Sequence, residues 1–167
     1  LQNRAELDQR IRDVLRINRE TLGVQRPADL PENDIAGNFA DLIRQAHQKS
    51  GQRAVVLIDE YDKPILDNIT KSPVALEMRE GLKNLYSVLK GADEHLKFVF
   101  LTGVSKFSKV SLFSGLNNLI DITLDKRYSA LCGYTDADVD SVFAPELPGL
   151  DREEIRRWYN GYNWLGT

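Results

Sequence analysis

The sequence predicts an α/β fold with a parallel sheet at its centre, and three features carry that expectation. Residues 54–58 read Ala-Val-Val-Leu-Ile, a short unbroken apolar run rich in β-branched side chains, the pattern of a strand buried on both faces. Residues 98–101, Phe-Val-Phe-Leu, form a second such run. Between them Met78, Leu82, Leu85, Tyr86 and Leu89 recur at helical spacing. A helix joining two strands is the crossover that parallel pairing requires.

The elements follow in order. Leu7, Ile11, Val14, Leu15 and Leu22 predict an amphipathic first helix whose charges, Arg19 among them, line a solvated face, with Gly23 as its stop. Pro27 and Pro31 mark a loop. Asn33 or Asp34 caps a second helix with Ile35, Phe39, Leu42, Ile43 and Ala46 on its apolar side, closed by Ser50 and Gly51. Strand 54–58 follows at once. Ser72 reads as the cap of the crossover helix with Pro73 at its first position, and Gly91 as its end. Strand 98–101 comes next, then a short helix within 108–118, then a third strand at 120–124, where Ile-Asp-Ile-Thr-Leu alternates. Thr135 to Asp138 has the spacing of a capping box, and Asp151 opens a last helix in the same way. The composition turns to helices only after about residue 128, so residues 1–128 read as an α/β core and 129–167 as a small helical subdomain.

Composition bounds the function classes. The chain has 167 residues, about one domain, and a net charge of −3, which gives no electrostatic case for nucleic acid along its whole length. A single cysteine, Cys132, excludes an internal disulfide, suits a cytoplasmic protein and reads as a small core residue. No apolar run reaches the ~18 residues that span a bilayer. The chain opens on Leu1 in mid-helix pattern, which suggests a piece of something longer.

The chemistry concentrates where strand 54–58 stops on Asp59 and Glu60. A carboxylate at the end of a buried strand is costly unless something pairs with it. In nucleotide-hydrolysing folds the first acid holds the Mg²⁺ shell and the second orients the attacking water, the Walker B arrangement. The same residues also fit a strand that ends in a solvated turn. Strand 98–101 ends on Thr102 and Gly103, at the strand end where nucleotide-binding sheets place their ligands. A phosphate-binding G-x-x-x-x-G-K-[ST] loop is missing. Its nearest approach, residues 103–110, has Ser108 in place of the second Gly and Val110 in place of the Mg²⁺-binding hydroxyl. His47 and His95 sit apart on polar ground, without the neighbours of a zinc site. A (D/E)-x-K nuclease pair fails because Tyr61 stands two before Lys63.

The words LIDEYDKPIL, LTGVSKFSKVSLFSGLNNLIDIT, GYT and WYNGYNW, in this order across residues 53–164, resemble one family. They look like the bacterial AAA-ATPase-like proteins, which usually carry a PD-(D/E)xK nuclease-type domain at the C-terminus. The resemblance implies part of a P-loop NTPase core of AAA type, with parallel strands 54–58, 98–101 and 120–124 and a helical lid. It puts the Walker B acids on Asp59 and Glu60, a DEYDK signature on residues 59–63 that includes Asp62, and a sensor segment on residues 102–109. In that reading Asp59 holds Mg²⁺ through water, Glu60 polarises the attacking water, and Asp62 counts with Asp59, Lys106 and Lys109 as cofactor-binding. Thr102 or Ser105 senses the γ-phosphate, and Lys106 or Lys109 offsets developing charge. The family's P-loop lies upstream in an RPRRFGKS-like stretch that this sequence lacks. The chain therefore reads as half of an ATP site, with ATP and Mg²⁺ bound tightly only in a longer parent. Removing the P-loop strand would leave open sheet edges, filled by self-association or closed by pairing 98–101 with 120–124. Two other readings are an interaction module without ATPase activity, and a DNA-acting effector whose nucleic-acid contacts lie in a domain outside this sequence.

Overall fold

The computed structural model describes residues 1–104, 112–113 and 119–159. Two compact units divide the chain, Leu1–Asn118 and Leu119–Thr167.

The first unit opens with α1 (Arg4–Leu22), capped by Asn3, whose side chain accepts from the Glu6 N–H at 2.9 Å. It ends on Gly23 at φ 61°, a left-handed conformation that glycine adopts without a Cβ penalty. Asp34 caps α2 (Ile35–Ser50) by accepting from the Gly37 N–H at 2.9 Å. β1 (Ala54–Ile58) follows, then the single turn α3 (Lys63–Leu66). The long helix α4 (Ser72–Gly91) leads through a 3-10 turn, Asp93–His95, into β2 (Leu96–Leu101). Ser72 is the first residue of α4 rather than its cap; Lys71 holds that place with no side-chain bond to the helix. Helices α1, α2 and α4 pack on one another around Leu7, Leu15, Ile35, Leu42, Ile43, Met78, Leu82, Leu85, Tyr86 and Leu89. The whole predicted stripe of α4 lies in this core.

β1 and β2 pair in parallel, with Val55 opposite Phe98, Val56 opposite Val99, Leu57 opposite Phe100 and Ile58 opposite Leu101. The expected neighbours and their direction are therefore found, joined by the α4 crossover. Two expectations fail. The strands are not buried on both faces. Val55 and Leu57 are 53% and 71% exposed, and Phe98, opposite Val55, is also exposed, so one face of the two-stranded sheet lies open. Residues 120–124 form no strand. The Asp121 carboxylate accepts from the Thr123 N–H at 3.0 Å and from its hydroxyl at 2.7 Å, and the Asp125 N–H donates to the Ile122 carbonyl at 3.1 Å. An aspartate that bonds its own backbone two residues on turns the chain and removes it from a ladder. The helix expected within 108–118 falls almost wholly outside the described residues.

Two polar features correct the sequence reading. Arg19 is 7% exposed, not on a solvated face. Its guanidinium bonds Asp41 Oδ2 at 2.9 Å and the Asn38 carbonyl at 3.0 Å. Arg44 and Gln45 also donate to the Asp41 carboxylate. Burial alone would push the Asp41 carboxyl up, but the bonds from Arg19, Arg44 and Gln45 outweigh it and hold the group below the usual carboxylate range. The two histidines come together: Nδ1 of His47 and Nδ1 of His95 are 3.1 Å apart, one donating and the other accepting. Among the described residues no group of three or more His, Cys, Asp or Glu is arranged to hold a metal ion.

In the second unit Thr135 accepts from the Asp138 N–H, and Asp138 accepts from the Thr135 N–H at 2.8 Å, which is the predicted capping box of α5 (Asp136–Val142). α6 (Arg152–Tyr159) is tied to α5 by Arg156 to Asp136 and Arg152 to Asp140, each at 2.7 Å. Cys132 is exposed, against the core placement expected of it. Among the described residues no helix is long and apolar enough to cross a membrane.

Candidate functional site

Both strands end at the same place. The ladder runs one step past each, with the Thr102 N–H on the Ile58 carbonyl and the Tyr61 N–H on the Thr102 carbonyl, each at 2.9 Å. This sets Asp59 and Glu60 beside Thr102. The Thr102 hydroxyl donates to Asp59 Oδ1 in a short contact. The Glu60 N–H is shared between Asp59 Oδ1 at 3.0 Å and Thr102 Oγ1 at 3.3 Å. All hydrogen bonds of the Asp59 carboxylate among the described residues thus fall on Oδ1, and Oδ2 is left uncommitted. Both acids are exposed. Glu60 has φ 50°, and among the described residues it is the one non-glycine with a positive φ. Such a backbone costs about 1–3 kcal/mol and persists where surrounding structure enforces it, most often at functional sites.

Beneath the acids the turn is anchored. Asp62 is 1% exposed, and its Oδ1 accepts from the Val104 N–H at 3.2 Å. The Tyr86 hydroxyl donates to the Tyr61 carbonyl at 3.3 Å. Burial pushes the Tyr86 phenol up, and the nearby Asp62 carboxylate adds to the shift. Phe113 packs against Tyr61 and Tyr86, with ring centres 5.1 and 5.5 Å away. Lys63 turns to Asp67 at 3.0 Å, and that carboxylate holds its ammonium above the usual range.

The residues expected at the site therefore divide. Asp59, Glu60 and Thr102 are brought together at the strand ends, and Asp62 lies under the turn. Ser105, Lys106 and Lys109 lie outside the described residues. The sequence reading missed Tyr61, Tyr86 and Phe113. Phe113 joins the two signature words physically, since it belongs to one and rests on Tyr61 of the other. A cavity of about 580 Å³ lies elsewhere, between the 27–30 loop, α2 and the end of α4, lined in part by Asp29, Arg44 and His95. None of the acids at the strand ends lines it.

The model of a family described as "Predicted AAA-ATPase" matches residues 1–113, which include α1 to β2, the acids and Phe113. The chain belongs to the AAA-ATPase-like family. A protein of Azotobacter chroococcum mcd 1, described as "Uncharacterized protein in vnfD 5'region", is 62% identical to this AAA-ATPase-like chain over 161 residues. That match takes in 96% of this chain and 30% of the relative, so the chain spans about a third of the relative's length. No solved structure matches.

Proposed function

We propose that Asp59 and Glu60 are the acidic, water-activating half of a Mg²⁺-dependent ATP-hydrolysing site, within a longer protein that supplies the phosphate-binding loop. The observation that carries this reading is the pair of adjacent carboxylates at the carboxyl ends of two parallel strands. Ligands of open α/β sheets sit there. Family membership supports it.

The residues present fit Mg²⁺ and ATP in one respect that can be tested on the structure. Mg²⁺ keeps several waters and takes one or two carboxylates plus phosphate oxygens rather than a full protein cage. Asp59 offers such a carboxylate, exposed, with Oδ1 fixed by Thr102 and Glu60 and Oδ2 uncommitted among the described residues. When bound, Mg²⁺ would offset charge on the β- and γ-phosphates. Thr102 keeps Asp59 in one orientation by donating its hydroxyl proton. Glu60 takes a proton from the attacking water as general base. In this reading Thr102 or Ser105 senses the γ-phosphate, and Lys106 or Lys109 offsets its developing charge.

The open sheet face of Val55, Leu57 and Phe98 also has a consequence in this reading. Among the described residues each strand has one unpaired edge, and such edges beside exposed apolar surface favour self-association of the isolated chain.

Calorimetry with ATP and Mg²⁺ tests the division of labour. Most phosphate contacts come from a backbone nest that this sequence does not contain. The chain by itself should bind more weakly than about 100 μM, while a longer protein carrying the loop should reach about 1 μM, roughly −8 kcal/mol. Micromolar binding by the chain alone would overturn it.

A further inference from the structure

Asp62 has no role in the chemistry above, yet it is a carboxylate buried to 1% exposure. Burying such a group costs several kcal/mol unless donors compensate. One donor is the Val104 N–H, at 3.2 Å, which belongs to the segment leaving β2. The position of Asp62 is itself fixed, because its carbonyl accepts from the Ile65 and Leu66 N–H groups, each at 3.0 Å, in the first turn of α3. Glycine at residue 103 leaves room for this contact. A Cβ there would stand 2.5 Å from Tyr61 Cε1 and 2.8 Å from Asp62 Oδ1. The Tyr61 N–H on the Thr102 carbonyl adds a second tie between the same two loops.

We propose that Asp62 is a positioning residue: its buried carboxylate latches the Gly103–Val104 backbone to the turn that carries Asp59 and Glu60. The latch makes the exit of β2 and the acidic turn move as one body. A displacement at Val104 is passed to a side chain three residues from Asp59. Its consequence for turnover rests on the ATPase reading; the latch itself does not. What the contact needs is an acceptor of the right length, so asparagine should replace aspartate and alanine should not.

Two measurements test it. In the chain itself, amide hydrogen exchange at Val104 should rise about tenfold or more in Asp62→Ala, the loss of one hydrogen bond, and stay well below that in Asp62→Asn, whose amide oxygen still accepts. Gly103→Ala should raise it as well by prising the loop off, and it stands in if Asp62→Ala does not fold. Unchanged exchange at Val104 in the folded alanine variants would overturn the latch. In the longer ATPase, Asp62→Ala should lower kcat about tenfold with the KM for ATP nearly unchanged, and Asp62→Asn should recover it. Full kcat in a folded Asp62→Ala protein would remove the coupling. If wild type shows no Mg²⁺-dependent turnover while the exchange difference remains, the latch stands and the ATPase reading falls.

Discussion

Glu60→Gln should leave ATP bound and slow its hydrolysis about 100-fold or more, the usual contribution of a positioned general base. Glutamine keeps the shape of the side chain and a carbonyl oxygen, but it has no charge to draw a proton from water. The backbone should tolerate the change, because the Glu60 N–H keeps its bonds to Asp59 and Thr102 whatever the side chain. The left-handed φ of 50° is demanded equally of both residues, so stability should move little. Phosphate release under saturating ATP, read beside nucleotide affinity, is the measurement. Equal turnover in wild type and Glu60→Gln would take the general-base role from this residue.

Asp41→Ala should destabilise the first unit by about 3–5 kcal/mol, the cost of leaving the partner of a buried ion pair uncompensated. Arg19 would keep only the Asn38 and Gln25 carbonyls, at 3.0 and 3.3 Å. Domains are stable by about 5–15 kcal/mol, so the loss would remove a large share of that margin and lower the urea midpoint clearly. Joint replacement, Arg19→Met with Asp41→Leu, should recover most of the loss, since apolar groups of similar volume often match a buried pair. The pair also sets an acid limb. The folded-state value of Asp41 lies below its unfolded one, so its contribution is present above the ordinary carboxylate value of about 3.9 and is lost as pH falls through the lowered value. Urea unfolding of wild type and Asp41→Asn at pH 6 and pH 3 checks this. The gap between the two should narrow at the lower pH, and a constant gap would contradict it.

What was legible in the sequence is what local chemistry decides. Asp34, Gly23 and Thr135 cap their helices as read, because a cap bonds within a few residues of itself. The α4 stripe and the parallel pairing of β1 with β2 were legible from periodicity and from the length of the crossover. The misreadings were decided at a distance. Arg19 looked like any other charge on α1, and its burial depends on a carboxylate on the facing helix. His47 and His95 are far apart in sequence and meet only because α2 packs beside the turn that precedes β2. The alternation at 120–124 concealed a competing signal, an aspartate able to bond Thr123 and close a turn. At the site the two acids and Thr102 were legible as strand-end residues. The burial of Asp62 was not, although Gly103 directly after Thr102 leaves room for the Tyr61 and Asp62 side chains to close on it.

The most direct test of the acidic pair is the Mg²⁺ dependence of ATP binding in the longer protein, compared between wild type and Asp59→Asn. An uncommitted carboxylate oxygen at Asp59 should account for much of the ion's contribution to affinity, because Mg²⁺ is held by one or two carboxylates and substrate phosphates. In wild type, Mg²⁺ should tighten ATP binding about tenfold or more, and in Asp59→Asn that gain should shrink to about twofold, with affinity in the presence of chelator the same in both proteins. An equal gain from Mg²⁺ in the two proteins would contradict the assignment of Asp59, and with it the reading of these strand ends as a nucleotide-hydrolysing site.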